Sequence, residues 1–360
     1  MKLFDSFTLR DVSLKNRVVM SPMTRCRAID HIPNSLMAKY YAQRAGAGLI
    51  ITEGTAPSPN GIGYARIPGM YNRDHVAGWL KVTEAVHDNG GKIFLQIMHT
   101  GRVSHPLNMP DDATIMAPSA IQLSGKMYTD QEGEQPYPTP KEMTREEVIA
   151  AEDSFVTAAR YAMEAGFDGV ELHGANGYLI DQFNNPASNK REDEYGGSIE
   201  NRSRFALAVA AKVVHAIGAE KVGIRLSPNG AMNDMDVFDD TKEQFTYLAK
   251  KFNELNMAYI HLVDHEAMGA PAVPYELKKA IWDEFDGTRI LSGGYNKEQA
   301  EQDLQDDKGD LVAFGRPYIA NPDLVYRMQN DLELNEPDQD TFYSAGAEGY
   351  TDYEMAGVPS

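Results

Sequence analysis

The run Gly169-Val170-Glu171-Leu172-His173-Gly174-Ala175-Asn176-Gly177-Tyr178 changes character halfway along. Its first four residues, Gly169 to Leu172, are mostly apolar and open on a glycine, the pattern of a short strand covered on both faces. Directly afterwards an imidazole, a carboxamide and a phenol fall within the six residues His173 to Tyr178. Polar groups crowded at a strand end suggest chemistry. An imidazole and a carboxamide three apart can donate to one oxygen atom, and a phenol two residues further on can deliver a proton beside it.

Seven other runs resemble the first half: Val18 to Met23, Leu49 to Thr55, Lys92 to Met98, Val222 to Ser227, Ala258 to Val263, Arg289 to Ser292 and Leu311 to Phe314. Stretches with helical periodicity separate them, at Ser35 to Gly46, His75 to Asn89, Glu146 to Ala165, Arg202 to Ile217, Thr241 to Leu255 and Lys297 to Leu304. Eight strands alternating with helices predict one (β/α)8 TIM barrel over residues 1–360 rather than an open Rossmann sheet. No Gly-x-Gly-x-x-Gly follows a strand, and the Ala45-Gly46-Ala47-Gly48 segment lies between helix and strand, so it reads as a turn. Phe4 to Asn16 reads as an N-terminal hairpin plugging the barrel bottom, and Arg102 to Thr144 as a long insertion after strand 3, a position where lids form.

On a barrel, Thr24, Gln96, His99, His173, Arg225, His261, Gly293 and Arg316 are expected at or just after the C-terminal strand ends, where barrel enzymes build their sites. Leu291-Ser292-Gly293-Gly294 and Ala313-Phe314-Gly315-Arg316, after strands 7 and 8, predict a phosphate site made of backbone amides and the Arg316 guanidinium. Gln96 and Arg225 then suit the polar edge of a flat heterocycle, with Arg225 stabilising negative charge there.

Composition removes several classes of function. A net charge of −19 opposes binding to nucleic acid. One cysteine, Cys26, leaves no intramolecular disulfide, multi-cysteine zinc site or iron–sulfur cluster, and its own place is expected to be structural. No apolar run is long enough to span a bilayer, and Asp5 interrupts the N-terminus too early for a secretory signal, so the expected location is cytoplasmic.

From Leu3-Phe4 and Ser21-Pro22-Met23-Thr24-Arg25, through Gln96-Ile97-Met98-His99-Thr100-Gly101-Arg102 and His173 to Phe183, to Tyr195-Gly196-Gly197-Ser198-Ile199-Glu200-Asn201-Arg202 and Phe314-Gly315-Arg316, the chain resembles the Old Yellow Enzyme family of FMN-dependent ene-reductases. The resemblance is to the bacterial branch that includes N-ethylmaleimide reductase. It implies FMN as cofactor, NADPH as reductant with NADH possible, and ping-pong reduction of activated C=C bonds in small molecules such as enones and maleimides. It further implies that Thr24, Gln96 and Arg225 hold the flavin ring, that Pro22, Met23 and Ala56 pack beside it, and that Gly294, Gly315 and Arg316 hold its phosphate. His173 and Asn176 would bind the activating oxygen of the substrate, Tyr178 would donate the proton, and Tyr64, Met98, Thr100, Asn233 and Tyr343 would line the substrate space. Met98 stands where many relatives have Trp, Asn176 where close relatives often have His, and Asn233 where Gln is common. Thr24 rather than Cys places the chain outside the branch that tunes its flavin with a thiol.

Three alternatives stay open on sequence: a reductase mainly of nitroaromatics or nitrate esters, a metal-dependent barrel hydrolase drawing on His99, His173, His261 and His265, and a non-catalytic flavin-binding protein. The oligomeric state is not readable.

Overall fold

The computed structural model describes residues 1–356, and the last four residues of the expected 1–360 span lie outside the described residues. Eight parallel strands close into a barrel: β1 (Val18–Met20), β2 (Leu49–Ile51), β3 (Ile93–Ile97), β4 (Gly169–Gly174), β5 (Val222–Leu226), β6 (Tyr259–Val263), β7 (Thr288–Ser292) and β8 (Leu311–Phe314). Each expected strand is present, and β8 pairs back onto β1 to close the ring. No helix among the described residues is long and apolar enough to cross a membrane.

Alternation along the strands sorts their side chains into two sets. Val170, Leu172, Ile224, Leu226, Ile260 and Leu262 face outward into the main core with the helices. The inward set begins at the bottom with Val19, Leu49, Ile51, Phe94, Tyr259 and Ile290, which pack with Leu9 and Leu14. Those two leucines belong to an antiparallel hairpin, Phe7–Leu9 with Val12–Leu14, which closes the barrel floor as its pattern predicts. Gly223 is required here because a Cβ would lie 2.2 Å from the Tyr259 ring that crosses the interior.

Local chemistry sets the helix limits. Thr144 and Glu147 form a capping box at the start of Arg145–Glu164, and Gly166, with φ +81°, turns the chain after it. A helix over Tyr275–Asp283, between β6 and β7, completes the repeat although its periodicity did not stand out in the sequence. The insertion after β3 carries a hairpin, Lys126–Thr129 with Gly133–Pro136, and a two-residue pairing of Met116–Ala117 with Lys141–Glu142.

His261 departs from its expected position. It lies in the middle of β6 rather than at its end, and it is wholly buried in the barrel interior. Cys26 is buried as expected, and burial pushes its thiol up to about 12, which keeps it protonated and unreactive.

Candidate active site

Above the apolar floor the inward positions turn polar, and the strand register makes them neighbours. Glu171 of β4 lies opposite Gln96 of β3, and His173 lies opposite Arg225 of β5, which in turn lies opposite His261 of β6. Glu171 accepts from Gln96 Nε2 at 2.8 Å on one oxygen and meets His261 Nδ1 at 2.9 Å on the other. Burial lowers the pKa of His261 against the opposing pull of Glu171, so a neutral imidazole donates its Nδ1 proton to the carboxylate. With one Nε2 hydrogen given to Glu171, Gln96 keeps its second N–H as a donor and its carbonyl oxygen as an acceptor.

His173 has a defined tautomer. The Ala175 N–H donates to its Nδ1 at 3.3 Å, so the ring proton sits on Nε2. Burial, followed by the charge of Arg225, holds the imidazole well below its usual range and therefore neutral. The result is a fixed, uncharged N–H donor.

Asn176 occupies a left-handed conformation, φ +61°, that asparagine tolerates. It is held from three sides. Its N–H donates to Ser227 Oγ at 2.9 Å, its carbonyl accepts from Asn233 Nδ2 at 2.8 Å, and its Oδ1 lies 2.6 Å from His265 Nε2. Burial, with Arg225 next, takes His265 down to about 4, so the neutral ring donates and the Asn176 NH2 group remains available as a donor. On sequence His265 is a candidate metal ligand only, and no periodicity marks its contact with Asn176. His265→Ala is expected to weaken binding of a phenol such as p-hydroxybenzaldehyde roughly fivefold, about 1 kcal/mol, with a smaller loss for His265→Gln. Titration of the ligand-induced absorbance change measures it, and equal affinity in all three proteins would show that the contact does not position Asn176.

Tyr178 precedes the short helix Leu179–Asn184, with its ring edge-on to His173 at 4.9 Å between centroids. Burial pushes its phenol up to about 12, partly offset by the hydrogen bond it shares with Tyr64. The turn that presents it is held by Asp181, whose carboxylate accepts the Gly177 N–H at 2.9 Å.

Two recesses of about 520 and 730 Å³ meet over this layer and share Thr24, Met232 and Tyr343. The first is lined by Pro22, Met23, Asn176, Arg225, Gly294 and Arg316, among others. Two of its features fit a planar ligand carrying a phosphate. Arg225 is buried with its Nε unpartnered, a donor awaiting an acceptor. Gly294, at φ +76°, has no room for a Cβ, which would lie 2.7 Å from Ala267, while a Cβ on Gly315 would meet Ser21 and Met23 at ordinary contact distance and no carboxylate among the described residues pairs with Arg316. The second recess is lined by Cys26, Tyr64, Met127, Tyr128, Tyr137 and Tyr178, so the insertion after β3 forms one of its walls.

Tyr343 reaches both recesses because the C-terminal segment is tied across the mouth by the loop after β1. Arg25 Nε and Arg27 Nη1 donate to the Phe342 carbonyl at 3.0 and 2.8 Å, and Arg25 Nη2 donates to Gly349 at 2.8 Å. Six expected site residues, Ala56, Gln96, Met98, Thr100, His173 and Asn233, lie off the lining of both recesses. Thr100 is buried and its hydroxyl donates to the Gly61 carbonyl at 3.1 Å. The Asn233 carboxamide is engaged with Asn176, so its structural neighbour is that backbone. Ala56 and Met98 are buried in a cluster that includes Cys26, Ile62 and Tyr178. Nor do the four histidines converge. His99 Nδ1 accepts from Gly101, His173 Nδ1 accepts from Ala175, His261 binds Glu171 and His265 binds Asn176.

A closed barrel with hydrogen-bond donors over its C-terminal mouth and a glycine cradle after β7 and β8 defines a cofactor-binding barrel oxidoreductase. The chain belongs to the NADH:flavin oxidoreductase / NADH oxidase family, whose model matches residues 2–335. It is 43% identical over 346 residues to a probable flavin mononucleotide-dependent alkene reductase of Leishmania infantum, covering 94% of this chain and 93% of that protein. A morphinone reductase in complex with tetrahydroNAD superposes with a TM-score of 0.93 at 42% identity, covering 99% of this chain and 98% of the other. The Old Yellow Enzyme homologue from Zymomonas mobilis superposes with a TM-score of 0.94 at 38% identity, covering 99% and 100%. The protein is thus an FMN oxidoreductase of the Old Yellow Enzyme type.

Proposed function

We propose that this protein reduces carbon–carbon double bonds conjugated to a carbonyl, as in enones and maleimides, with a reduced nicotinamide as electron source and NADPH as the expected one. The observation that carries the reading is the grouping of a neutral N–H donor on His173, packed edge-on against the protonated phenol of Tyr178, with a carboxamide donor on Asn176, where Asn176 and Tyr178 line two recesses that share Thr24, Met232 and Tyr343. FMN, when bound, supplies the hydride chemistry that links nicotinamide to alkene. Thr24, Gln96 and Arg225 would hold its ring, with Pro22, Met23 and Ala56 as apolar neighbours, and Gly294, Gly315 and Arg316 would hold its phosphate.

The chain's own groups then have separate tasks. His173 and Asn176 hold the carbonyl oxygen of the substrate and stabilise the negative charge that builds there. Removing one such donor typically costs about 3 kcal/mol of transition-state stabilisation. Tyr178 keeps its proton at neutral pH and gives it to the α-carbon. Tyr64 and Tyr343 border the opening in which the substrate sits. The description of the Leishmania relative as an alkene reductase and the tetrahydroNAD bound to morphinone reductase support the same reading.

The test is a steady-state screen of cyclohexenone, N-ethylmaleimide, a nitroaromatic and a nitrate ester, each with NADPH and NADH. Saturated ketone and succinimide are the expected products. Turnover of the nitro and nitrate acceptors alone, with both alkenes recovered intact, would reject alkene reduction.

A further inference from the structure

Tyr64 Oη lies 2.9 Å from Tyr178 Oη, with the two rings edge-on at 85° and 6.3 Å between centroids. The Tyr178 hydroxyl has no other hydrogen-bond partner among the described residues. Tyr178 is only 7% exposed, whereas Tyr64 is less deeply buried, and both line the second recess.

A phenol carries one proton and two acceptor lone pairs. Either oxygen in the pair is able to donate, but only one direction is compatible with chemistry at Tyr178. If Tyr178 donated to Tyr64, its proton would point away from the substrate. If Tyr64 donates, the Tyr178 proton is free to face the α-carbon, and the oxygen left behind already carries a hydrogen bond. That bond matters because Tyr178 is buried where a bare phenolate would be poorly solvated. Burial raises its pKa and the Tyr64 contact opposes that rise.

We propose that Tyr64 is the second member of a proton relay, donating to the Tyr178 oxygen during the reaction and then returning a proton to it from water in the recess. The proposal rests on Tyr178 being the proton donor. The steps balance. As the α-carbon–hydrogen bond forms, the Tyr178 O–H bond breaks and its electron pair stays on that oxygen. The Tyr64 proton then shifts across the hydrogen bond, and a water-derived proton restores Tyr64. One solvent proton is consumed for each alkene reduced.

The test compares Tyr64→Phe, Tyr178→Phe and the double variant as flavin-loaded enzymes in stopped flow. Tyr64→Phe is expected to slow reoxidation by cyclohexenone about tenfold with the substrate dissociation constant unchanged, and to alter the solvent deuterium isotope effect. Reoxidation by ferricyanide, which protonates no carbon, is expected to keep its rate. In the Tyr178→Phe background, loss of the Tyr64 hydroxyl is expected to change the cyclohexenone rate by less than about twofold, because both act on one proton.

A normal cyclohexenone rate in Tyr64→Phe, set against a slow Tyr178→Phe, would overturn the relay and leave the donor assignment standing. So would a Tyr64→Phe defect confined to substrate affinity, or one of equal size in both backgrounds. A normal rate in Tyr178→Phe would overturn the donor assignment and the relay together.

Discussion

Tyr178→Phe is expected to slow alkene reduction by about 10²- to 10⁴-fold while the reaction with nicotinamide stays within about twofold of the original enzyme. The asymmetry follows from the chemistry of the two half-reactions. On the proposed mechanism they share one opening, but only the second places a proton on carbon, and Tyr178 is the proposed acid. Phenylalanine keeps the ring that packs edge-on against His173, so the site itself is expected to persist.

The proposed role of Tyr178 also bears on the pH profile. Its pKa is pushed up to about 12 by burial, while His173 is held well below its usual value. A group that donates a proton is competent below its pKa, and a neutral imidazole donor is competent above its own. Neither Tyr178 nor His173 is therefore expected to titrate in alkene reduction between about pH 6 and pH 10, and an inflection near pH 7 is expected to belong to Asp181, whose carboxyl burial pushes up to about 7 beside the turn that presents Tyr178. Stopped-flow traces of the two half-reactions, recorded separately across that range, measure both effects. Equal slowing of both half-reactions in Tyr178→Phe would remove the phenol from the role of acid.

His173→Ala is expected to lower the alkene-reduction rate about 10²- to 10³-fold, the usual consequence of losing one donor from a site that stabilises negative oxygen. The effect is large because the donor is preorganised. The Ala175 N–H fixes the tautomer, burial keeps the ring neutral, and no solvent rearrangement is needed when charge develops. Binding of phenol ligands is expected to weaken in the same variant, which separates this donor from the proton transfer at Tyr178. Because His173 and Asn176 are proposed to act on one atom, the double variant is expected to lose less than the product of the two single losses. Unchanged phenol titrations in His173→Ala would exclude it from the oxygen site.

Much of the molecule is legible along the chain because much of it is local. Short apolar runs, amphipathic spacers, the Thr144 to Glu147 box and the turn at Gly166 are written in neighbouring residues, and they suffice for the barrel and its floor hairpin. His173, Asn176 and Tyr178 are legible for the same reason, since one strand end and one turn carry all three. His261 was assigned to a strand end because run boundaries locate ends only to within a few residues, and its mid-strand position turns it to Glu171.

The contacts that assign each group its chemical direction join residues far apart. Tyr64 and Tyr178 are 114 residues apart, Asn176 and His265 are 89 apart, and Arg25 reaches Phe342 across 317. Glu171 shows the limit most directly. It stands in plain view two residues before His173, yet its partners Gln96 and His261 come from strands 75 and 90 residues away. From the amino-acid order come the barrel, the place of its site and the residue types available for chemistry. Which nitrogen carries a proton, which amide oxygen stays free and which phenol donates are decided when the ring of strands closes. Hydrogen-bond direction and desolvation depend on what lies opposite in space, and closure puts those partners there.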